Sequence, residues 1–506
     1  MMLKKAYPLH LLPACFLAGF FLAGCQHVDS NDSKNDDSNY SEEAMPLPGG
    51  GINILLKEEV TPEIFIAKLA DKQIKVDPGK VRTCRCGSQL INIDDDSLIF
   101  DMEGHDAPRV RPTKASGDEI VMPIGHLVSA VSPNISIALD EQKYPLNDSS
   151  FAAVINNTKN AGVARDPNKN TRMVAVFDTG LDERLLDERL PWWGGERNAG
   201  CVPGWPASTA LRGLNFVSDE DGRQNRNYLR DVSATQVPEY SRHGTLVTSL
   251  LIRQFYSTSQ DYNLGLIVMR VLNKQKKGDS FALNCAMLNA RKMGAEVFNL
   301  SLGYYGKEDG VFKSVIDGFE SDGLGQPVPI IVTAAGNIRP PVNEKRDFAR
   351  MPEDSLFYPA YFSRTRENLI AVTTARDISG NIMGSAGVGS VAGPGLPLNA
   401  EVCDTQNYGG EVVDIAVRTP DCLFPQVVDP ANTDRGFAAS AALLGSSYAA
   451  PVISGWIASS WSRVENAQRM KSGILRVNGS EVIQKPGLSG KVRENRLFQY
   501  PVHEPH

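Results

Sequence analysis

Short apolar runs alternate with segments of helical apolar spacing from residue 171 onward. The predicted strands cover residues 173–177, 266–271, 297–300, 328–333 and 369–374, and the predicted helices cover residues 243–255, 280–293, 311–319 and 447–461. Because these strands are apolar at nearly every position, both faces of their sheet must be covered. The pattern predicts an α/β fold with a mostly parallel sheet between helical layers. Ligand sites in such sheets lie beyond the carboxyl ends of the strands.

Residues 52–165 precede this region and follow a different pattern. Residues 52–56 indicate a strand, 62–70 a short helix, 90–100 strands or a hairpin, and 135–139 a further alternating segment. We therefore expect a smaller α+β or β-rich unit before the α/β domain. Its pattern contains nothing that points to catalysis, so we expect a pro-region or an accessory region.

The N-terminus has the pattern of an export signal. Lys4 and Lys5 precede a mostly apolar run over residues 11–22, which is too short for a good membrane span. The run ends at Leu22-Ala23-Gly24-Cys25, which resembles the bacterial lipobox, whose cysteine receives the lipid. We predict a signal peptide over residues 1–24 and lipidation of Cys25; the alternative is an ordinary signal peptide with an incidental cysteine.

The residues after Cys25 extend this prediction. Residues 25–51 are rich in Asp, Ser, Asn and finally Gly, which is typical of a flexible tether. Gln26 follows the cysteine, and by analogy with Gram-negative sorting this favours the outer membrane over the inner one. We expect a lipid-anchored protein of the bacterial cell envelope, on the outer membrane or facing the periplasm.

The composition indicates a globular protein and says little more about the function. The 506 residues are 42 % hydrophobic and 22 % charged, which fits one or two domains with ample core. A net charge of −7 without a basic stripe disfavours nucleic acid as a partner. The sequence does not indicate an oligomeric state.

Six cysteines remain after Cys15 and Cys25 are assigned to the signal and the lipid, and an oxidising compartment permits disulfides between them. They are Cys84, Cys86, Cys201, Cys285, Cys403 and Cys422. Cys403 and Cys422 are a plausible local pair. Two cysteines one residue apart in a strand point to opposite faces, so a bridge between Cys84 and Cys86 is disfavoured. No convincing set of metal ligands includes them, and the connectivity stays open.

Three separated side chains suggest nucleophilic catalysis. Ser447 lies where a small-residue turn becomes an apolar helix, so unpaired backbone N–H groups surround its hydroxyl. His243 is the single histidine of the α/β region, and Asp178 directly follows a predicted strand. A serine attacks a carbonyl only if a base takes its proton, and a carboxylate then fixes the tautomer of that base. The alternatives are a serine that caps a helix and a structural histidine.

The segments around these residues resemble the subtilisin-like serine proteases, or subtilases. The resemblance covers about residues 170–465 and rests on Val176-Phe177-Asp178-Thr179-Gly180, His243-Gly244-Thr245, Asn299-Leu300-Ser301-Leu302-Gly303, Ala334-Ala335-Gly336-Asn337 and Gly445-Ser446-Ser447-Tyr448-Ala449-Ala450-Pro451. It implies a subtilisin-like three-layer domain over residues 166–465, followed by a C-terminal tail over residues 466–506. The implied activity is that of a serine endopeptidase that forms an acyl-enzyme.

The resemblance also assigns roles to residues. Asp178 would orient His243, His243 would act as general base and then general acid, and Ser447 would be the nucleophile. The side-chain amide of Asn337 would form the oxyanion hole together with the Ser447 backbone N–H. Polypeptide substrates would pair along an edge formed by Ser301, Leu302 and Gly303, with Ala335 and Gly336 shaping the specificity pocket. No cofactor and no metal are predicted; structural calcium is common in the family, but the sequence places no site for it.

Several positions depart from the family pattern. Ser446 and Tyr448 stand where Thr and Met are usual, Leu246 replaces a second histidine, and Ser249 replaces a glycine. Residues 416–418, after the late strand, lack the usual Ala-Pro-Gly. Pro451, which the family motif shares, removes one hydrogen bond from the first turn of the helix. None of these changes removes a catalytic atom.

The same residues allow three other hypotheses. An aspartic protease needs a second Asp-Thr/Ser-Gly to share a proton with Asp178-Thr179-Gly180, and the chain has none. An esterase of the α/β-hydrolase type needs Gly-x-Ser-x-Gly and the order serine, acid, histidine, which are absent. A catalytically silent, subtilase-like binding protein of the envelope is the remaining alternative to a protease.

Overall fold

The computed structural model describes part of the chain. The residues described are 48–84, 88–102, 108–113, 121–139, 154–156, 158, 166–182, 185, 213–217, 242–258, 261–273, 276–320, 327–337, 347–378, 399–419, 422–424, 443–461, 470–476, 478 and 480–499. The predicted signal peptide, the lipobox with Cys25, and also Cys86 and Cys201, lie outside them.

The N-terminal unit spans residues 48–139, and its described residues form antiparallel strands and one helix. Its elements are β1 (Pro48–Leu56), α1 (Pro62–Asp71), β2 (Val81–Thr83), β3 (Leu90–Ile93), β4 (Leu98–Asp101), β5 (Arg109–Pro112), β6 (Met122–Pro123) and β7 (Val128–Ala138). The α1 helix begins at Pro62 because Thr61 caps it, its hydroxyl accepting the Ile64 N–H at 3.3 Å. Phe65 and Leu69, one turn apart, bury the apolar face of α1. The α+β prediction for this region is confirmed.

One prediction for the N-terminal unit needs correction. The tether was predicted to extend to residue 51, but β1 begins at Pro48, whose backbone pairs with Ile135 of β7. On its other side β1 lies close to β3: a side chain on Gly51, which has a φ of +83°, would collide with the Ile93 carbonyl. Residues 90–100 were predicted as strands or a hairpin, and the structure has the strands β3 and β4 there; they form no hairpin with each other, because β3 pairs with β1 and β2 whereas β4 pairs with β5.

The α/β domain spans residues 166–499, and its described residues form a ten-stranded sheet. Its strands are β8 (Thr171–Asp178), β9 (Gly213–Asn215), β10 (Asn263–Arg270), β12 (Val297–Leu300), β14 (Ile330–Ala334), β16 (Leu369–Ile378), β17 (Asn399–Val402), β18 (Ile415–Arg418), β21 (Val482–Gln484) and β22 (Arg496–Phe498). The order is β21-β22-β18-β16-β14-β12-β8-β10-β9, with β17 beside β16. All neighbours are parallel except β21 with β22 and β17 with β16, so the mostly parallel sheet is confirmed.

Short strands and helices complete the domain. The strands are β11 (Lys277–Asp279), β13 (Tyr304–Gly306), β15 (Leu356–Tyr358), β19 (Leu423–Phe424) and β20 (Leu443–Leu444). The helices are α2 (His243–Thr258), α3 (Ser280–Lys292), α4 (Gly310–Gly318), α5 (Ser446–Ser460) and α6 (Met470–Ile474). Among the described helices none is long and apolar enough to cross a membrane.

The central strand β8 divides two hydrophobic cores, because alternate side chains of a strand point to opposite faces. Ala175 and Phe177 pack on one face with side chains from α3 and α4. Val174 and Val176 pack on the other face with side chains from α2 and α5. The three-layer arrangement follows from this double burial.

The predicted C-terminal tail is part of the sheet. β22 pairs with β18, and β21 pairs with β22, although residues 466–506 were expected to lie outside the domain. Val482, Leu497 and Phe498 are buried in the two cores, so the segment gains apolar burial by joining the sheet. Residues 416–418, predicted to follow the late strand, lie within β18 instead.

A buried carboxylate also holds the C-terminal segment. Asp414, immediately before β18, lies 3.2 Å from Lys471 Nζ and 3.2 Å from an Arg493 guanidinium nitrogen. Its second oxygen accepts the Ala371 N–H at 2.9 Å and the Ser363 hydroxyl. Burial lowers the pKa of Lys471, and the Asp414 carboxylate acts against that effect.

Candidate active site

The parallel sheet brings the predicted site residues to one edge. Asp178 ends β8, Ser301 directly follows β12, and Ala335 directly follows β14. Because β8, β12 and β14 are adjacent and parallel, their carboxyl ends lie at the same edge. Helices α2 and α5 pack on each other and begin with His243 and Ser446.

Asp178 and His243 form a buried pair. The His243 Nδ1 atom lies 2.9 Å from each carboxylate oxygen of Asp178, and both side chains are 1 % exposed. The Thr179 N–H also donates to Asp178 at 2.7 Å. A carboxylate in this position favours the tautomer that carries its proton on Nδ1, which leaves the Nε2 lone pair available to accept a proton.

The residues after His243 explain how α2 approaches β8 so closely. The Gly244 N–H donates to the Thr179 hydroxyl at 3.1 Å, and the Thr245 hydroxyl accepts the Asp182 N–H at 2.8 Å. A side chain on Gly244 would lie 2.2 Å from the Gly180 carbonyl oxygen, so only glycine permits this contact.

Ser447 lies in the first turn of α5, as predicted, after a glycine with a φ of +135°. The Tyr448 ring packs 5.1 Å from the His243 ring, centroid to centroid, which brings the start of α5 against the histidine. Tyr448, where the family usually has Met, is therefore buried beside His243. Pro451 is accommodated inside the helix.

Asn337 faces the same turn. Its Oδ1 atom accepts the Ser446 N–H at 2.9 Å and the Ser446 hydroxyl at 3.1 Å. With Oδ1 engaged in this way, the amide Nδ2 is directed away from Ser446. A β-carbon built on Gly445 would lie 3.1 Å from Asn337 Nδ2 and 3.4 Å from Ser447 Oγ, so amide and hydroxyl border the same small space. An amide donor beside a serine hydroxyl could hold the oxyanion that forms when such a hydroxyl attacks a carbonyl.

The remaining predicted residues surround this edge. Ser301, Leu302 and Gly303 are buried, and within the described residues they belong to no strand. The Ser301 hydroxyl accepts the Asn299 amide at 3.0 Å. The Gly336 N–H donates to Ser446 Oγ at 3.0 Å, and Gly336 has a φ of +93°, which favours glycine.

Two further polar residues contact the loop of Asn337. The Tyr305 hydroxyl donates to the Asn337 carbonyl at 3.0 Å. The Asn407 amide donates to the Tyr305 hydroxyl at 2.9 Å and to the Ala335 carbonyl at 2.8 Å. No local sequence pattern indicated Asn407, because it lies 72 residues beyond Ala335 along the chain.

Both predicted and unexpected disulfides are present. Cys403 pairs with Cys422, which confirms the prediction, and Cys84 pairs with Cys285. Within the described part of the chain, no three His, Cys, Asp or Glu side chains are grouped so that they could hold a metal ion.

Comparison with known proteins gives a family match. A family model described as the subtilase family matches residues 169–477. A chain in a structure of the subtilase cytotoxin SubAB assembly is 17 % identical, with a TM-score of 0.38, over 70 % of this chain and 93 % of that one. The epidermin leader peptide processing serine protease of Staphylococcus aureus is 14 % identical, with a TM-score of 0.43, over 89 % of this chain and 96 % of that one.

A third structure, of a lanthipeptide protease, is 18 % identical with a TM-score of 0.37, over 65 % of this chain and 85 % of that one. A search of curated proteins found no match.

Proposed function

We propose that this chain, which belongs to the subtilase family, is a serine endopeptidase that uses Asp178, His243 and Ser447. The family supports a serine protease that acts on polypeptides. The observation that carries the finer proposal is the buried contact of His243 Nδ1 with both carboxylate oxygens of Asp178, at 2.9 Å each. A histidine held in this way can serve as general base toward a nearby hydroxyl.

The proposed reaction has two halves. The Ser447 hydroxyl attacks the scissile carbonyl carbon while His243 Nε2 takes its proton, and Asp178 stabilises the resulting imidazolium. The oxyanion accepts hydrogen bonds from Asn337 Nδ2 and the Ser447 N–H. The C–N bond then breaks, the amine leaves with the proton from His243, and an acyl-enzyme remains. Water, deprotonated by His243, hydrolyses this ester and restores the serine.

Labelling with a serine-directed diaryl phosphonate tests the proposal. An active nucleophile displaces phenoxide and becomes phosphonylated, so we expect mass spectrometry to find the label on Ser447. The matched control is Ser447→Ala, which should not be labelled. Absence of label on the wild-type chain would favour the catalytically silent binding protein instead.

Asn337→Ala is expected to lower kcat by about 10²–10³-fold, the effect that loss of one oxyanion donor has in subtilisin. KM should change little, because the amide contacts the oxyanion that forms during reaction. Steady-state kinetics on a peptide substrate measures both constants. The Ser446 N–H loses its acceptor in this variant, which could destabilise the fold. Thermal unfolding is therefore the control, because it shows whether the variant is still folded. Turnover near that of the wild type would show that Asn337 is not the oxyanion donor.

The substrate-binding roles of Ser301, Leu302, Gly303, Ala335 and Gly336 are part of the same proposal. The positions of Ser301 and Ala335 at the ends of adjacent strands support it. Profiling with a peptide library would define which side chains the pocket accepts; uniform cleavage irrespective of sequence would argue against a specificity pocket formed by these residues.

We also propose that lipid on Cys25 holds the enzyme in the bacterial cell envelope. Support comes from Leu22-Ala23-Gly24-Cys25 at the end of the apolar signal. Metabolic labelling with a fatty acid should mark the wild-type chain and leave Cys25→Ala unmarked. Equal labelling of both would contradict lipidation at this cysteine.

A further inference from the structure

A disulfide joins the N-terminal unit to the α/β domain. It links Cys84, which follows β2, to Cys285 in α3, and the two residues are 201 positions apart. Every peptide bond between them therefore lies inside the loop that the disulfide closes. We propose that the N-terminal unit is a permanent covalent partner of the α/β domain, and that cleavage of the segment connecting them does not release either part.

The disulfide lies inside the contact between the two parts. Cys84 is 5 % exposed and Cys285 is 3 % exposed. Both belong to the core cluster that also contains Leu90 of β3 and Ala286 of α3. A thiolate reduces a disulfide by direct attack on sulfur, so burial limits reduction while the two parts remain packed.

Backbone pairing and buried amides extend the contact. Strand β11 of the α/β domain joins the N-terminal sheet by pairing antiparallel with β7. The Asn53 amide donates to the Ser280 hydroxyl at 2.9 Å. Asn134 Oδ1 accepts the Phe281 N–H at 3.0 Å, at the beginning of α3. If the two parts separated, these groups would lose their hydrogen-bond partners and bond to water instead. The contact is therefore more like the interior of a domain than like a transient interface between domains.

A buried carboxylate lies at the same contact. Asp309 Oδ1 accepts the Ser132 hydroxyl of β7 at 2.6 Å and the Val311 N–H of α4 at 2.9 Å. Its Oδ2 accepts the Asn284 amide of α3 at 3.1 Å. Burial raises the pKa of Asp309, and these hydrogen bonds act in the opposite direction. A charged pair, Arg82 with Asp279 at 2.8 Å, borders the contact.

The contact lies on the helical layer opposite the candidate active site. The N-terminal unit packs on α3 and α4, whereas His243 and Ser447 are carried by α2 and α5 on the other face of the sheet. The disulfide between Cys84 and Cys285 therefore lies on the side of the sheet away from α2 and α5. If Cys25 carries lipid, the disulfide also keeps the α/β domain anchored after a cut in the connecting segment.

The test uses the full chain with a recognition sequence for a site-specific protease inserted between Gln142 and Lys143. The Ser447→Ala background excludes self-cleavage. After digestion, free thiols are alkylated and the protein is analysed on denaturing gels. We expect one species of full mass without reductant and two fragments with reductant. Mass spectrometry should identify a linked peptide pair containing Cys84 and Cys285.

Two variants with paired substitutions make this experiment specific. Cys84→Ser with Cys285→Ser should give two fragments whether or not reductant is present. Cys403→Ser with Cys422→Ser is the matched control, because that disulfide lies within the α/β domain, and it should behave like the parent chain. Two fragments from the parent chain without reductant would overturn the proposal. One species from the Cys84 and Cys285 variant would overturn the assignment of the bond.

A second, independent observation concerns Tyr305 in β13. Its hydroxyl donates to the Asn337 carbonyl at 3.0 Å and accepts the Asn407 amide at 2.9 Å. Its ring lies 4.8 Å from that of Phe357 in β15. We infer that Tyr305 is a positioning residue that holds the backbone of Asn337, an inference that rests on the proposed role of Asn337 in the oxyanion hole.

Tyr305→Phe keeps the ring and removes only the hydroxyl. We expect kcat to fall about tenfold, the scale of one neutral hydrogen bond, with KM within about twofold of the wild type. In the Asn337→Ala background the same substitution should have almost no effect, because the group that it positions is gone. Tyr361→Phe is the matched control, since the Tyr361 hydroxyl contacts Arg364, and it should leave kcat unchanged.

An unchanged kcat in Tyr305→Phe would overturn the inference. So would an equal fold-loss in both backgrounds, which would indicate general disturbance of the domain. Wild-type turnover in Asn337→Ala itself would instead remove the role of Asn337, and with it the proposed oxyanion hole.

Discussion

Ser447→Ala is expected to lower peptide turnover by about 10⁶-fold, the size of the loss when the nucleophile of subtilisin is replaced. The hydroxyl is the atom that forms the acyl-enzyme, so its removal leaves only the binding groups and the Asn337 amide to assist hydrolysis. Because the substitution removes one oxygen from a helix turn, the fold should persist. Kinetics on a fluorogenic peptide measures the loss, and thermal unfolding checks the fold.

His243→Ala provides the matched test that the two residues act as one unit. It should lower turnover about as much as Ser447→Ala, and the double variant should be no worse than either single one. The reason is that neither group has a use without the other: the serine needs a base, and the base needs a proton to accept. The proposed chemistry would be contradicted if the double variant lost turnover by the product of the two single losses. Substantial turnover in either single variant would also contradict it.

Asp414→Asn is expected to lower the free energy of unfolding by about 3–5 kcal/mol. The side chain keeps its shape, but the carboxylate that faces Lys471 Nζ at 3.2 Å is lost. Lys471 is 3 % exposed in its side chain, so a buried cation would lack its counterion. Urea unfolding monitored by tryptophan fluorescence measures the change.

Glu401→Gln is the matched control for this stability prediction. Glu401 pairs with Arg376 at 2.6 Å, but the two side chains are 32 % and 38 % exposed, so water already screens the pair. We expect a loss below about 1 kcal/mol. Losses of equal size at Asp414 and Glu401 would show that burial of the Asp414 cluster does not govern its contribution.

Apolar runs identified the central sheet because its strands are covered on both faces. The run predicted at residues 297–300 coincides with β12 (Val297–Leu300), and that at residues 173–177 lies within β8. The C-terminal strands escaped prediction for the converse reason. Three-residue strands such as β21 and β22 have no measurable period, and the place of β22 beside β18 depends on contacts with residues about 80 positions earlier.

The candidate site shows a similar division. Asp178, His243 and Ser447 each stood at the boundary of a strand or helix, where local sequence indicates exposed backbone groups and a ligand site. No local sequence pattern of this kind indicated the residues that hold the loop of Asn337. Tyr305 and Asn407 are ordinary residues in the sequence, and their contacts with this loop exist because β13 and the segment before β18 converge on it.

The sequence alone therefore determined the α/β layering, since each strand and helix is written in residues close together in the chain, and it predicted the candidate catalytic groups and an export signal. Tertiary structure decided which cysteine bonds to Cys285. No local rule distinguishes Cys84 from its neighbour Cys86 as the partner, and the structure pairs Cys84. It also decided that Asp414 is buried against Lys471 and Arg493. These contacts join distant segments, and only the packing of the whole sheet brings their atoms within bonding distance.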